Sequence, residues 1–260
     1  MSKTVYEPRP QVPTEHYWLR AYNTKERMCS YWHQVDEVLG LDVGTVLEVG
    51  PGGGLVTDWL RRAGVQVTTL DMDPAVGADV QGSVSDMPLE SGSFDAVMCC
   101  QVLEHLPFTD AEQALRELAR VSRVGAVVSV PDATPWAGKS YPLYFPGWYL
   151  EELRAQLPTT RLQLVRDLVT RRLRLRDWLF LRFVPSHWSL GGRTLDLRLP
   201  IPRGPWRPEP GNQHFWEVGA EGTPLARLLA AAQTAGFVVE RTYRVPENPW
   251  HRFLILRKRG

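Results

Sequence analysis

From Thr45 onward, short apolar runs alternate with stretches whose apolar residues recur at helical spacing. "TVLEVG", "VQVTTLD", "SFDAVMCCQVL" and "GAVVSVP" are dense in aliphatic and β-branched residues with few charges, the signature of strands covered on both faces. Between them, "LVTDWLRRAG" and "DAEQALRELARVS" carry the spacing of amphipathic helices, the first ended by Gly64 and the second opened by Asp110. Residues 14–41 predict one or two helices that close on Gly40 and lead into the first strand. Near the end, "TPLARLLAAAQTAGF" predicts a helix capped by Thr223, with Pro224 in its first turn and Gly236 as its stop. "VVERTYRV" and "RFLILRKR" then predict two closing strands joined by the turn-rich "PENPWH". Strands separated by helices of this length require right-handed crossovers and a mostly parallel sheet.

The rhythm breaks between Asp132 and Gly222, where proline, tryptophan and arginine become dense and basic residues outnumber acidic ones. The expected organisation is therefore an N-terminal helical segment (1–44), a core (45–132 and 223–260) and an insert (133–222) between strand five and the following helix. Composition supports a folded chain: 260 residues, 43% hydrophobic and 23% charged, with a formal net charge of only +1. That balance gives no global reason to expect nucleic acid as a partner. Three cysteines, Cys29, Cys99 and Cys100, form neither a disulfide framework nor a redox pair. With no signal-like start and no window approaching the roughly 18 apolar residues of a membrane span, a soluble cytoplasmic protein is expected.

The first strand runs into Glu48-Val49-Gly50-Pro51-Gly52-Gly53-Gly54. A dinucleotide fingerprint is incomplete, because Leu55 stands at its third glycine, and a triphosphate-binding loop is excluded by the absence of lysine. What remains is bare backbone beside an acidic residue, which suits a ligand bearing an ammonium group. Asp71 ends the next strand about twenty residues beyond the glycines, the spacing at which a carboxylate takes ribose hydroxyls.

"VLEVGPGGG", "VTTLDMDP", "DMPLESGSFDAVMCCQVLEHL" and "LLAAAQTAGF", in that order, resemble a class I S-adenosylmethionine-dependent methyltransferase of the small-molecule type. The resemblance covers residues 45–130 and 223–259. It implies a doubly wound, Rossmann-like α/β fold with a seven-stranded sheet whose last strand is antiparallel. It also implies S-adenosyl-L-methionine as cofactor, with Glu48, Gly50 and Gly52 along its methionine part, Asp71 on the ribose and Met72 beside adenine. Gly54, Ser83, Val84 and Gln101 complete the cofactor-binding set, Ser83 standing where many relatives have an acidic residue near the adenine amine. The four-residue motif of amino-directed nucleic-acid methyltransferases is missing; "CCQVLEHL" occupies its place. The expected reaction is in-line methyl transfer to a hydroxyl, amine or carbon of a small molecule, the alternatives being a protein or RNA acceptor or a non-catalytic binding protein.

Methyl transfer from a sulfonium needs a base only when the acceptor must lose a proton, and histidine is the natural one near neutral pH. His105, in "LEHL" after the fourth strand, and His214, in "GNQHFWEVG", are the catalytic candidates; His16, His33, His187 and His251 lack neighbouring signals. No His, Cys or carboxylate spacing in the sequence argues for a metal. The insert, at the carboxyl edge of the sheet, is the expected acceptor lid. It offers aromatics (Trp136, Tyr141, Tyr144, Phe145, Trp148, Tyr149) and, over 161–183, a basic amphipathic stretch of undecided helix or strand character, suited to a peripheral membrane contact or a phosphorylated substrate.

Overall fold

In the computed structural model the chain divides into two units, residues 1–135 with 202–260 and residues 136–201. The structure describes residues 13–134, 164–165 and 214–259, which belong almost entirely to the first unit. The aromatic stretch of the insert, the basic stretch apart from residues 164–165, and His187 lie outside the described residues.

Seven strands form one sheet: β1 (Thr45–Val49), β2 (Gln66–Asp71), β3 (Val80–Gln81), β4 (Phe94–Cys100), β5 (Ser122–Pro131), β6 (Phe237–Arg244) and β7 (His251–Lys258). Their order is β3-β2-β1-β4-β5-β7-β6. β1 to β5 run parallel, and β7 lies antiparallel between β5 and β6. This is the doubly wound sheet with an antiparallel last strand expected from the sequence.

Alternation within the strands sorts side chains into two cores. Leu47, Val49, Val97, Cys99, Val128, Leu254 and Leu256 share one core with Leu115 and Leu118 of α3 (Phe108–Val121) and Leu228 of α4 (Leu225–Thr234). Val46, Ala96, Met98, Val127, Phe253 and Ile255 face the other way, toward Val35 and Val38 of α1 (Lys25–Gly40) and Leu60 of α2 (Leu55–Arg62). A 3-10 turn, Thr14–Trp18, precedes α1, whose N-cap Thr24 accepts a hydrogen bond from the Arg27 amide.

Two helix starts differ from expectation. α3 begins at Phe108 after Pro107, so Asp110 lies inside its first turn, where a carboxylate favours the helix dipole without capping it. α4 begins at Leu225 with Pro224 at the N-cap position; the Thr223 hydroxyl donates instead to the Glu217 carbonyl and so closes the preceding loop.

The closing strands are tied to β5 by Asp132, a fully buried carboxylate. It accepts hydrogen bonds from Arg244 at 2.7 and 3.0 Å, Arg252 at 2.5 Å and the Thr134 amide at 2.9 Å. Burial alone would raise its pKa, but these donors hold it below the ordinary carboxylate value. The stability it contributes is therefore present above the unfolded-state pKa and lost as pH falls through its lower folded value. Asp132→Asn is expected to destabilise the protein by about 3–5 kcal/mol near pH 7, because two guanidinium groups lose their counter-charge. Thermal melts across pH check this: the penalty should begin to shrink below about pH 4, where the unfolded-state carboxylate takes up a proton, and be lost once pH falls through the lower folded-state value.

Candidate functional site

A cavity of about 430 Å³ opens at the carboxyl ends of β1, β2 and β4. The sheet order makes it unavoidable. After β1 the chain turns to α2 on one face, while after β4 it turns to α3 on the other, so the two exits diverge and leave a crevice between them.

One wall is the loop Gly50–Gly53. Gly50 and Gly52 adopt positive φ (70° and 54°), which side-chain-bearing residues rarely adopt. A Cβ on Gly50 would lie 2.5 Å from Val102, and one on Gly52 would lie 3.1 Å from the Tyr17 ring. The glycines are thus emptied partly for the protein itself: the Tyr17 ring meets Gly52, and the Tyr17 Cβ and the Trp18 ring meet Gly53, where their side chains would stand. Gly54 is absent from the cavity lining; with φ 75° it is the residue on which α2 starts.

Glu48 is buried at the end of β1 and accepts the Thr57 hydroxyl at 2.5 Å. Burial raises its pKa to about 7, against the lowering effect of Thr57 and Arg61. Asp71 ends β2 and does two things at once. Its Oδ1 accepts the Asp73 amide at 2.8 Å, forming the turn after the strand, and its carboxylate lines the cavity. Met72, Ser83, Val84 and Gln101 line the same cavity. Gln101 has φ 58°, one of two non-glycine residues with positive φ among those described, and its amide nitrogen Nε2 donates to Ser129 Oγ at 3.2 Å. Strained backbone of this kind clusters at functional sites.

The opposite end is built by two chain segments zipped together. Phe215 N donates to the Glu104 carbonyl, Trp216 Nε1 to the Leu106 carbonyl and Val218 N to the Pro131 carbonyl. These bonds bring His214 beside His105, with ring centroids 4.9 Å apart. His214 Nδ1 and Glu217 Oε1 are 2.9 Å apart. Burial lowers the His214 pKa, but Glu217 and Glu104 outweigh it and the net shift is upward. Glu104 is completely buried, and burial raises its pKa to about 7.

Several lining residues escaped the sequence reading. Antiparallel pairing sets His251 opposite Pro131, so the start of β7 falls at the carboxyl edge and His251 enters the cavity wall. Burial lowers its pKa to about 3, which keeps it neutral. Arg27, Tyr31 and Gln34 lie three and four residues apart on α1 and face the cavity together. That polar stripe on an otherwise packed helix was the signal available. The Arg27 guanidinium stacks 4.0 Å over the Tyr22 ring, and among the described residues it has no ion pair with a carboxylate. Tyr17 has its pKa raised to about 12 by burial and by Tyr22, Asp71 and Asp73.

Residues 47–130 match the family described as a methyltransferase domain. The ubiquinone biosynthesis O-methyltransferase of Xanthomonas oryzae pv. oryzae strain PXO99A is 37% identical over 116 residues, which cover 38% of this chain and 48% of that protein. The chain therefore matches about half the length of this curated relative. Among solved structures, magnesium protoporphyrin IX methyltransferase from Synechocystis PCC 6803 with bound SAH superposes with a TM-score of 0.51, 16% identity and 96% coverage of both chains. The 1,6-didemethyltoxoflavin-N1-methyltransferase of Burkholderia thailandensis, bound to its namesake compound and S-adenosylhomocysteine, gives 0.50, 15% identity, and 98% and 94% coverage. The matched span contains the glycine loop, Asp71 and the Glu104–His105 turn, and the sheet around it has the same architecture as these two enzymes. Residues 47–130 thus match a methyltransferase domain, and the sheet that contains them has the fold of these two methyltransferases.

Proposed function

We propose that this protein transfers the methyl group of S-adenosylmethionine to an oxygen of a small-molecule acceptor. The observation that carries this reading is the meeting, in one cavity, of the glycine loop and Asp71 at one end with His105, His214 and Glu217 at the other. The cited relative is an O-methyltransferase, which supports oxygen over nitrogen or carbon. Among the described residues no helix is long and apolar enough to cross a membrane.

The donor's groups find complements along the cavity. Asp71 takes the ribose hydroxyls through the carboxylate oxygen that the Asp73 amide leaves available. Met72, Ser83 and Val84 flank the adenine. Arg27 binds the α-carboxylate, since its guanidinium lines the cavity, stacked on Tyr22 and hydrogen-bonded to Tyr31 but paired with no carboxylate among the described residues. Glu48 stabilises the α-ammonium from beneath the glycine loop. The reaction itself needs alignment and exclusion of water more than acid-base chemistry, because the sulfonium is already activated. His214, oriented by Glu217, and His105 hold the acceptor oxygen and make it a better nucleophile.

Asp71→Ala and Arg27→Gln are each expected to weaken S-adenosylhomocysteine binding about tenfold to a hundredfold, the loss of a charge-assisted hydrogen bond. His214→Ala is expected to leave that affinity within about twofold while lowering turnover. Calorimetric titration, with release of labelled methyl product from a metabolite library, tests both. Unchanged affinity in the first two variants would remove the donor site from this cavity.

Ionised Glu48 is favoured by a neighbouring cation, so donor binding should pull its pKa down from about 7. Affinity should then rise between pH 6 and pH 8, and titrations in buffers of differing ionisation enthalpy should register proton release near neutrality. Glu48→Gln should flatten that dependence. A wild-type affinity that falls over the same range would contradict the assignment of Glu48.

A further inference from the structure

Glu104, His105 and His214 each offer one ligand atom within 4.8 Å of the other two. His105 Nε2 lies 3.9 Å from Glu104 Oε1. Bonds of about 2.0–2.2 Å to a tetrahedral ion place ligand atoms about 3.4 Å apart, so the trio closes on an ion through side-chain movements of about an ångström. The second observation is Glu104 itself. Its carboxylate is 0% exposed, yet neither oxygen has a hydrogen-bond partner among the described residues. A carboxylate buried in that way is costly unless a cation or a donor satisfies it. Both oxygens are shielded from a water-sized contact, whereas a bare ion between the three side chains reaches them directly.

A third feature fits the same picture. His214 Nδ1 faces Glu217 Oε1 at 2.9 Å, which places a carboxylate behind a candidate ligating histidine. Such outer carboxylates fix the tautomer and raise the basicity of the imidazole. Charge also balances: two neutral imidazoles and one carboxylate leave a divalent ion at +1, and Glu217 offsets the remainder.

We propose that Glu104, His105 and His214 bind one divalent first-row transition ion, with zinc the best match to a two-imidazole, one-carboxylate set. Glu104 and His105 are adjacent on the turn Leu103–His105, while His214 arrives from far along the chain through the Phe215–Glu104 backbone bond, so no spacing in the sequence marks the trio. Three protein ligands leave a coordination position open, and the trio lines the cavity, so that position faces it. The role of the ion rests on the methyl-transfer reading. It binds the acceptor hydroxyl and lowers its pKa, and the hydroxyl proton passes to solvent. The oxygen then forms its bond to the methyl carbon as the carbon–sulfur bond breaks, and the sulfonium becomes a neutral thioether.

The test is made on the full chain after dialysis against a chelator. Titration with Zn²⁺ alone should show one equivalent binding, and Co²⁺ alone should give the intense visible absorption of a low-coordinate site. Glu104→Gln and His214→Gln should each weaken binding at least tenfold, whereas His16→Gln, a cavity histidine outside the trio, should leave it unchanged. Thermal melts and S-adenosylhomocysteine affinity confirm that the variants fold; should Glu104→Gln fail, His105→Gln serves in its place. Absence of stoichiometric Zn²⁺ binding, or binding that the substitutions leave intact, overturns the proposal. Donor titration of the metal-free protein separates the two readings: donor affinity without metal affinity sinks only the ion, and metal affinity without donor affinity sinks only the methyl transfer.

Discussion

The adjacency of β1 and β4 is the constraint from which the site follows. Both strands are parallel and central, and their exits lead to helices on opposite faces, so the chain diverges after Gly50 and Gln101 and leaves a crevice there. Positive φ at Gly50, Gly52 and Gln101 is the local cost of turning two chain segments away from each other within a few residues. The antiparallel β7 adds a second consequence. By reversing direction beside β5 it brings the Trp250–His251 end of the β6–β7 connection to the edge where the crevice opens.

Buried ionisable groups divide into two kinds along this edge. Asp132 is fully buried but surrounded by donors from Arg244, Arg252 and Thr134, and it stays charged and structural. Glu48 and Glu104 are buried with too few donors, and both have pKa values raised to about 7. A folded protein gains nothing from a poorly satisfied carboxylate, so these two are the natural places to look for a cationic partner. Glu48 faces the end where an ammonium would lie, and Glu104 the end where the histidines gather.

The core was legible from the sequence because its strands are buried on both faces and its helices amphipathic, patterns that survive without tertiary information. Glu48, the glycines and Asp71 were legible because local geometry dictates them: a turn after a strand and a carboxylate at the next strand's end. Helix starts were less so. Asp110 and Thr223 look like caps, but Pro107 and Pro224 stand at the cap positions, and the Thr223 hydroxyl is recruited by a carbonyl instead. His251 and Arg27 could not be placed from pattern alone. The first depends on antiparallel register with Pro131, and the second on which face of α1 meets the cavity. The Tyr17 contact with Gly52 and Gly53 depends likewise on a fold of the 3-10 turn over the glycine loop that no periodicity announces.

The account stands or falls on whether the crevice between β1 and β4 is the donor site. A crystal structure of the full chain with S-adenosylhomocysteine tests it most directly. The ribose should lie on Asp71, the amino acid end between Gly50 and Arg27, and the sulfur toward His105 and His214. S-adenosylhomocysteine found elsewhere, or the crevice closed against it by Tyr17, would contradict this assignment.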